Sequence, residues 1–336
     1  MKPLSIAAIT FSLTGITGCS VLSHQEAHPS QGVYQVDLAS AQRFKNQADK
    51  LESEMFTFCE SGDLQRVQDQ WQQTMLSWMA LQGQERGPDS ALEKSWNIQF
   101  WPDKKNTTGR KMTALVNSDK LWNQDDIAQQ SVTVQGLGSI EWLLYDKHSP
   151  LESSSQNCQV ATAIASNLAS NAAVIASAWK ENPWSELDEK AWTSEYISLL
   201  SNQLEYSMKK MTRPLAKFGK PRPYFSESWR SGTSMKNLKA NIAAMQTLYL
   251  SDGGGLDHTL RQSGHVQLAD SITRQFSSIL ETWPVDESLF ELLQSKEGYR
   301  VAYAQYNKLE QLKYLIHEEV AIKLGVVIGF NATDGD

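Results

Sequence analysis

The chain has 336 residues and a formal net charge of −7, with 31 basic and 38 acidic residues. Because it also lacks a basic run, this balance argues against a nucleic-acid partner and against electrostatic attachment to anionic lipid. After the N-terminal segment about 315 residues remain, which is enough for one large or two ordinary domains with a sizeable core.

The N-terminus has the pattern of a bacterial lipoprotein signal. Residues 4–13 are mostly apolar, and residues 16–19, Ile-Thr-Gly-Cys, resemble the lipobox that precedes a lipid-modified cysteine. The apolar run is too short to span a bilayer, so we predict a signal peptide over 1–18, lipidation of Cys19 and a polar tether over 19–32. A buried N-terminal helix is the alternative.

The residue after the lipidated cysteine indicates the location. Aspartate at that position commonly retains bacterial lipoproteins in the inner membrane, and Ser20 stands there instead. The prediction is therefore an outer-membrane lipoprotein that faces the periplasm and is held to the membrane by its N-terminal lipid. We expect no other segment to be apolar enough to cross a membrane.

Two helices are predicted after the tether. Apolar residues at steps of three and four indicate one helix over 38–58 and a second over 64–78, for which Asp63 is a suitable N-cap. A short turn joins them, so they should form an antiparallel hairpin. After Cys19 only Cys59 and Cys158 remain, an even number in an oxidising compartment, which predicts a disulfide; two buried free thiols are the alternative.

An aromatic, irregular stretch follows over residues 96–111, before a short helix around 112–116. Trp101 and Asp103 in this stretch could line a ligand cleft. The alternative is that the aromatic side chains fill the end of a helical bundle, since large apolar side chains are usually part of a core.

Residues 134–146 open with two glycines and continue as an apolar segment, predicted to be helical, that contains one carboxylate, Glu141. Ile140, Leu143 and Leu144 mark its buried face. Glu141 is predicted to lie in the first turn, where the helix dipole favours an anion.

Residues 136–141, Gly-Leu-Gly-Ser-Ile-Glu, resemble the Gly-x-His-x-x-Glu signature of the imelysin-like proteins, bacterial envelope proteins once classed as peptidases and linked to iron uptake. Residues 98–103, 221–232 and 324–336 also look like imelysin segments. The signature histidine is Gly138 in this chain. Histidine and glutamate three residues apart would suit iron or zinc, so without the imidazole Glu141 alone is only a candidate ligand for either metal.

The second half of the chain is also helical. Helices are predicted over 158–179, 186–218 with a break at Pro214, 238–250, 266–280 and 298–324. The predicted fold class is all-α, with one bundle over 33–150 and a second over 151–331. A weak likeness between residues 135–141 and 253–258 suggests internal duplication.

Hydrolase motifs are incomplete. Residues 317–321, His-Glu-Glu-Val-Ala, begin like the zinc-protease motif His-Glu-x-x-His but lack its second histidine. The polar residues that remain as a candidate site are Glu141, Arg222, Arg230 and Asp103, together with Trp101. A buried carboxylate needs a partner, and an arginine supplies two parallel donors.

These residues lead to a hypothesis and its alternatives. Glu141 and an arginine would face a cleft that binds a small polar ligand or a chelated metal; a structural ion pair is the alternative. The resemblance implies an imelysin-like lipoprotein that serves iron acquisition by binding rather than by catalysis. A metal-dependent peptidase or hydrolase, or a periplasmic module that binds another envelope protein, are the competing functions.

Overall fold

The computed structural model describes residues 27–151 and 155–326. Within these residues the secondary structure consists of helices, with one isolated β-bridge between Lys217 and Lys220 and no strand. The predicted all-α fold is confirmed. The predicted signal peptide, Cys19 and most of the tether lie outside the described residues.

The helices differ widely in length. Those before residue 180 are α1 (Gln31–Ser61), α2 (Leu64–Trp78), α3 (Asp89–Leu92), α4 (Ser95–Ile98), α5 (Thr107–Val116), α6 (Gln124–Ala128), α7 (Gly136–Tyr145) and α8 (Ser155–Ala178). Those that follow are α9 (Glu189–Leu215), α10 (Ser234–Leu250), α11 (Leu256–Gln262), α12 (Val266–Thr282), α13 (Leu289–Leu292), α14 (Lys296–Lys313) and α15 (Val320–Leu324). A π-helical segment, Tyr314–Glu319, joins α14 to α15.

The predicted hairpin of α1 and α2 forms as expected, but α1 begins within the predicted tether. Its buried stripe includes Phe44, Leu51 and Met55. Gly62 ends it in the left-handed conformation and donates its N–H to the Phe58 carbonyl at 2.7 Å. Asp63 then caps α2 by accepting the Arg66 N–H at 3.2 Å.

The helices pack in two groups. The first contains α1, α2, α7 and α8, and the second contains α9, α10, α12 and α14; α10 also contacts α1 and α2. The predicted boundary at residue 150 assigns α8 to the second bundle, whereas α8 packs mainly against α1. The division into two domains and the internal duplication stay predictions.

A disulfide fixes α8 to α1. Cys59, near the end of α1, is bonded to Cys158, in the first turn of α8, and their Cα atoms are 5.7 Å apart. Within α8, Gln156–Ala178 is long and apolar enough to cross a membrane by length and composition, which differs from the expectation above. Because 72% of its most apolar window is buried against other helices, its composition is also that of a core helix.

Two predicted helices have different boundaries. The predicted break at Pro214 does not divide α9, because Pro214 lies in the last turn, next to the terminal Leu215. The predicted helix over 298–324 is continued through the π-helical segment, in which the backbone winds more widely than in α14 and α15.

Candidate functional site

A small cleft lies where α5 and α7 meet the segments 99–103 and 224–230. Its free volume is about 40 Å³. A buried water needs at least about 10–15 Å³ on the same measure, so the cleft has room for only a few atoms of a ligand. From α7, Gly138 and Glu141 line it.

The two glycines at the start of α7 have different roles. Gly136 has φ +68°, and a Cβ atom there would lie 2.2 Å from the Ile98 carbonyl oxygen, so only glycine fits this turn. A Cβ on Gly138 would meet only the Phe100 carbonyl oxygen, at 4.0 Å. The place of the signature histidine therefore adjoins open space in the cleft.

Glu141 is buried, with 5% of its surface exposed. Its Oε1 accepts the Ser231 N–H at 2.9 Å and the Ser231 hydroxyl at 3.0 Å. Burial raises the pKa of Glu141, while the Ser231 N–H, the charge of Arg230 and the Ser231 hydroxyl oppose that rise and the charge of Glu227 adds to it. Among the described residues, Oε2 has no hydrogen-bond donor.

The expected support of Glu141 by the helix N-terminus was wrong. Because α7 begins at Gly136, Glu141 lies beyond its first turn, where the partial positive charge has fallen off. The support comes from the loop before α10 instead. There Ser228 has φ +50° and its carbonyl accepts the Thr233 N–H at 3.3 Å, which turns Ser231 toward Glu141.

A second carboxylate of the cleft wall, Glu227, belongs to a sealed polar network. Its Oε2 is 2.5 Å from Lys210 Nζ, and its Oε1 accepts amide N–H groups from Gln82 at 2.7 Å and Gln99 at 2.9 Å. Lys210 also donates to Gln82 Oε1 at 2.8 Å and Asn241 Oδ1 at 2.7 Å. Burial lowers the pKa of Lys210, and Glu227 opposes that change.

Arg230 lines the cleft but is already paired. Its Nε is 2.7 Å from Asp146 Oδ2, its Nη2 donates to Asn106 Oδ1 at 2.7 Å, and its guanidinium lies 4.3 Å from the Trp229 ring centre. Burial acts to raise the pKa of Asp146, but hydrogen bonds from Arg230 and the His148 backbone lower it overall. The predicted pairing of this arginine with Glu141 is replaced by one with Asp146.

Trp101 and Asp103 both line the cleft. The Trp101 indole N–H donates to the Phe225 carbonyl at 3.2 Å. The two oxygens of Asp103 accept the backbone N–H groups of Thr107 at 2.6 Å and Thr108 at 2.9 Å, so this carboxylate also holds the start of α5.

Arg222 is the predicted site residue that the structure places elsewhere. It is exposed, it is not part of the cleft lining, and its guanidinium lies over the Phe225 ring at 5.4 Å. The prolines on either side of Arg222 prevent a regular helix across this segment. Its position gives no support for a role in ligand binding.

The residues present do not fit the iron or zinc centre that the resemblance implies. Within the described parts of the chain, no three His, Cys, Asp or Glu side chains come close enough to hold a metal ion. The cleft lining contains no histidine or cysteine, and Glu141 is its one incompletely bonded carboxylate. Iron and zinc sites need more nitrogen, sulfur or carboxylate ligands than this.

Several residues of this region were not predicted from the sequence. Lys210 could have been found, since it follows the buried polar residues Gln203 and Ser207 on one face of α9, at helical spacing. A lysine on a buried face requires a partner. The sequence does not single out Gln99 as a lining residue of the cleft or Ser231 as the hydrogen-bond partner of Glu141.

The chain is similar to known proteins in sequence and in fold. The imelysin family model, peptidase M75, matches residues 37–316. An imelysin-like protein from Psychrobacter arcticum 273-4 superposes with a TM-score of 0.77 at 19% identity, over 90% of this chain and 96% of its own.

A second solved structure, described as a putative iron-regulated protein A precursor from Parabacteroides distasonis ATCC 8503, has a TM-score of 0.63 at 15% identity, over 88% of this chain and 96% of its own. At such identities the two structures show a shared fold. No curated protein matches the chain.

Proposed function

This chain belongs to the imelysin family, and from that premise we propose that it is a non-catalytic binding protein for a small polar ligand, in the service of iron acquisition. In this proposal it is an outer-membrane lipoprotein that faces the periplasm. The iron-related role is supported by the family resemblance and by the name of the Parabacteroides protein. The location is supported by the lipobox pattern at residues 16–19.

The observation that carries the binding role is the state of Glu141. It is a buried carboxylate on the wall of a cleft, with one oxygen bonded twice by Ser231 and the other without a donor in the described residues. A carboxylate oxygen on a cleft wall that no protein group bonds is left for a ligand or a water molecule to complete. Binding without catalysis is proposed because Gly138 stands where the family signature has its histidine.

The test is growth of the host bacterium under iron limitation. A strain without the gene should grow more slowly, and the wild-type gene should restore growth. Glu141→Gln should fail to restore it, because it removes the charge that faces the ligand. Glu181→Gln, which changes an exposed glutamate outside the cleft, should restore it. Normal growth of the deletion strain, or full rescue by Glu141→Gln at equal abundance in the outer-membrane fraction, would contradict the proposal.

A further inference from the structure

Most charged groups of the cleft are already satisfied by the protein. Arg230 is bonded to Asp146 and Asn106, and both oxygens of Asp103 accept backbone N–H groups. Glu227 is bonded to Lys210 and two glutamine amides. Two of the five Arg230 N–H groups are bonded in this way, and Asp146 balances its charge, so this arginine attracts an anion less strongly than an unpaired guanidinium would.

Two polar atoms of the lining residues remain incomplete. Glu141 Oε2 has no donor, as described above. Ser226 also lines the cleft, is 2% exposed, and its hydroxyl has no hydrogen-bond partner among the described residues. A carboxylate oxygen can only accept, whereas a hydroxyl can donate or accept. Because the Ser226 oxygen has no exposed surface, a ligand in the cleft meets Glu141 Oε2 only, and the ligand group that satisfies this oxygen must carry an N–H or O–H donor.

The charge and the rings of the lining favour a cation. Among the lining charges, Glu227 is paired with Lys210 and Arg230 with Asp146. The carboxylates of Asp103 and Glu141 have no ion-pair partner among the described residues. The rest of the lining is rich in aromatic rings, whose faces attract cations. These rings are Phe100, Trp101, Tyr224, Phe225 and Trp229.

From these contacts we infer that the cleft takes the primary ammonium group of a small organic amine, with Glu141 Oε2 as its acceptor. The inference rests on the proposed function, because it names the ligand group for the same cleft. A trimethylammonium group has no N–H and cannot donate to Glu141 Oε2, so it should bind more weakly than a primary ammonium group.

The body of the amine would remain at the mouth of the cleft. Tyr224 is 63% exposed there and packs edge-on against Trp229 and Phe290, with ring centres 4.9 and 5.0 Å apart. This aromatic surface suits the apolar carbons of the ligand. An iron chelate with an aminoalkyl arm would meet both requirements, since its ammonium group would bind in the cleft while protein ligands to the metal are unnecessary.

The experiment is titration of the purified protein with n-butylammonium at constant ionic strength, followed by tryptophan fluorescence, because Trp101 and Trp229 line the cleft. Butyrate and n-butyltrimethylammonium serve as anionic and N–H-free probes. We expect saturable binding of n-butylammonium alone, weakened about tenfold or more in Glu141→Gln and unchanged in Glu181→Gln.

Equal binding of either control probe by the wild type, or n-butylammonium affinity that Glu141→Gln leaves within twofold, would overturn the inference. The control probes need no variant, so a folding defect cannot obscure the result. The growth test and the titration separate this inference from the proposed function. If growth under iron limitation depends on Glu141 but the protein does not bind n-butylammonium, only the ammonium ligand is overturned. Amine binding without a growth effect overturns only the role in iron acquisition.

Discussion

Glu141 and Glu227 are both buried carboxylates on the wall of one cleft, but their surroundings differ. Glu227 has a lysine and three amide donors, and each donor has other partners in turn. Glu141 has one serine on one oxygen and open space beside the other. A saturated buried network fixes the packing of helices, whereas an unsaturated carboxylate beside a cavity can still bind something.

The largest expected effect is the loss of stability when the saturated carboxylate is neutralised. Glu227→Gln leaves Lys210 as a buried cation without its counter-charge, and breaking a buried pair in this way costs about 3–5 kcal/mol. Glu141→Gln retains an acceptor for Ser231 and should change the free energy of unfolding by less than about 1 kcal/mol. Denaturant unfolding of the two variants measures both values.

A double variant tests whether Glu227→Gln destabilises the protein because Lys210 loses its counter-charge. Lys210→Met in the Glu227→Gln background removes the unpaired cation and should restore part of the stability. Lys236→Met, at an exposed lysine, is the matched control and should change stability by less than about 0.5 kcal/mol. If Glu227→Gln and Glu141→Gln lowered the free energy of unfolding equally, the two carboxylates would not differ in their contribution to stability.

How far the sequence predicts this region depends on the kind of signal. Periodic apolar residues predict α1, α2 and α8 because burial repeats along a helix. Glu141, Trp101, Asp103 and Arg230 could be selected because charges and rings stand out among apolar residues. Their partners could not, since Ser231 reaches Glu141 through a loop whose turns depend on tertiary packing.

A third buried carboxylate, Asp37 of α1, extends the comparison to a site without a described cleft. It is fully buried, its Oδ1 accepts from Gln84 at 2.8 Å, and its Oδ2 has no partner among the described residues. Burial raises the pKa of Asp37 to about 7, and the hydrogen bond from Gln84 opposes the rise. The folded protein therefore holds this proton more tightly than the unfolded chain does.

The free energy of unfolding should fall as the pH rises, because the Asp37 proton is lost. Stability associated with the Asp37 proton is fully present below the unfolded pKa, near 3.8, and is lost as the pH rises through about 7. At about 1.4 kcal/mol per pKa unit the loss is roughly 4 kcal/mol. Asp37→Asn should therefore unfold with a free energy that declines less between about pH 4 and pH 8, while exposed Asp119→Asn should keep the wild-type slope. Identical slopes for all three proteins would show that Asp37 is not protonated in the fold.

The smallest expected effect concerns Gly138, where stability and binding should change in opposite directions. A methyl group there meets no atom closer than 4.0 Å, and φ is not positive, so Gly138→Ala should stabilise α7 by about 0.5–1 kcal/mol. The same methyl group occupies part of a cleft of only about 40 Å³, so n-butylammonium should bind more weakly.

Gly136→Ala is the contrasting control, because its Cβ would lie 2.2 Å from the Ile98 oxygen and its φ is +68°, and it should destabilise the protein. If Gly138→Ala stabilised the fold and left amine affinity unchanged, the space beside Glu141 would be a packing defect, and the contrast between the open and the sealed carboxylate would no longer indicate a binding site.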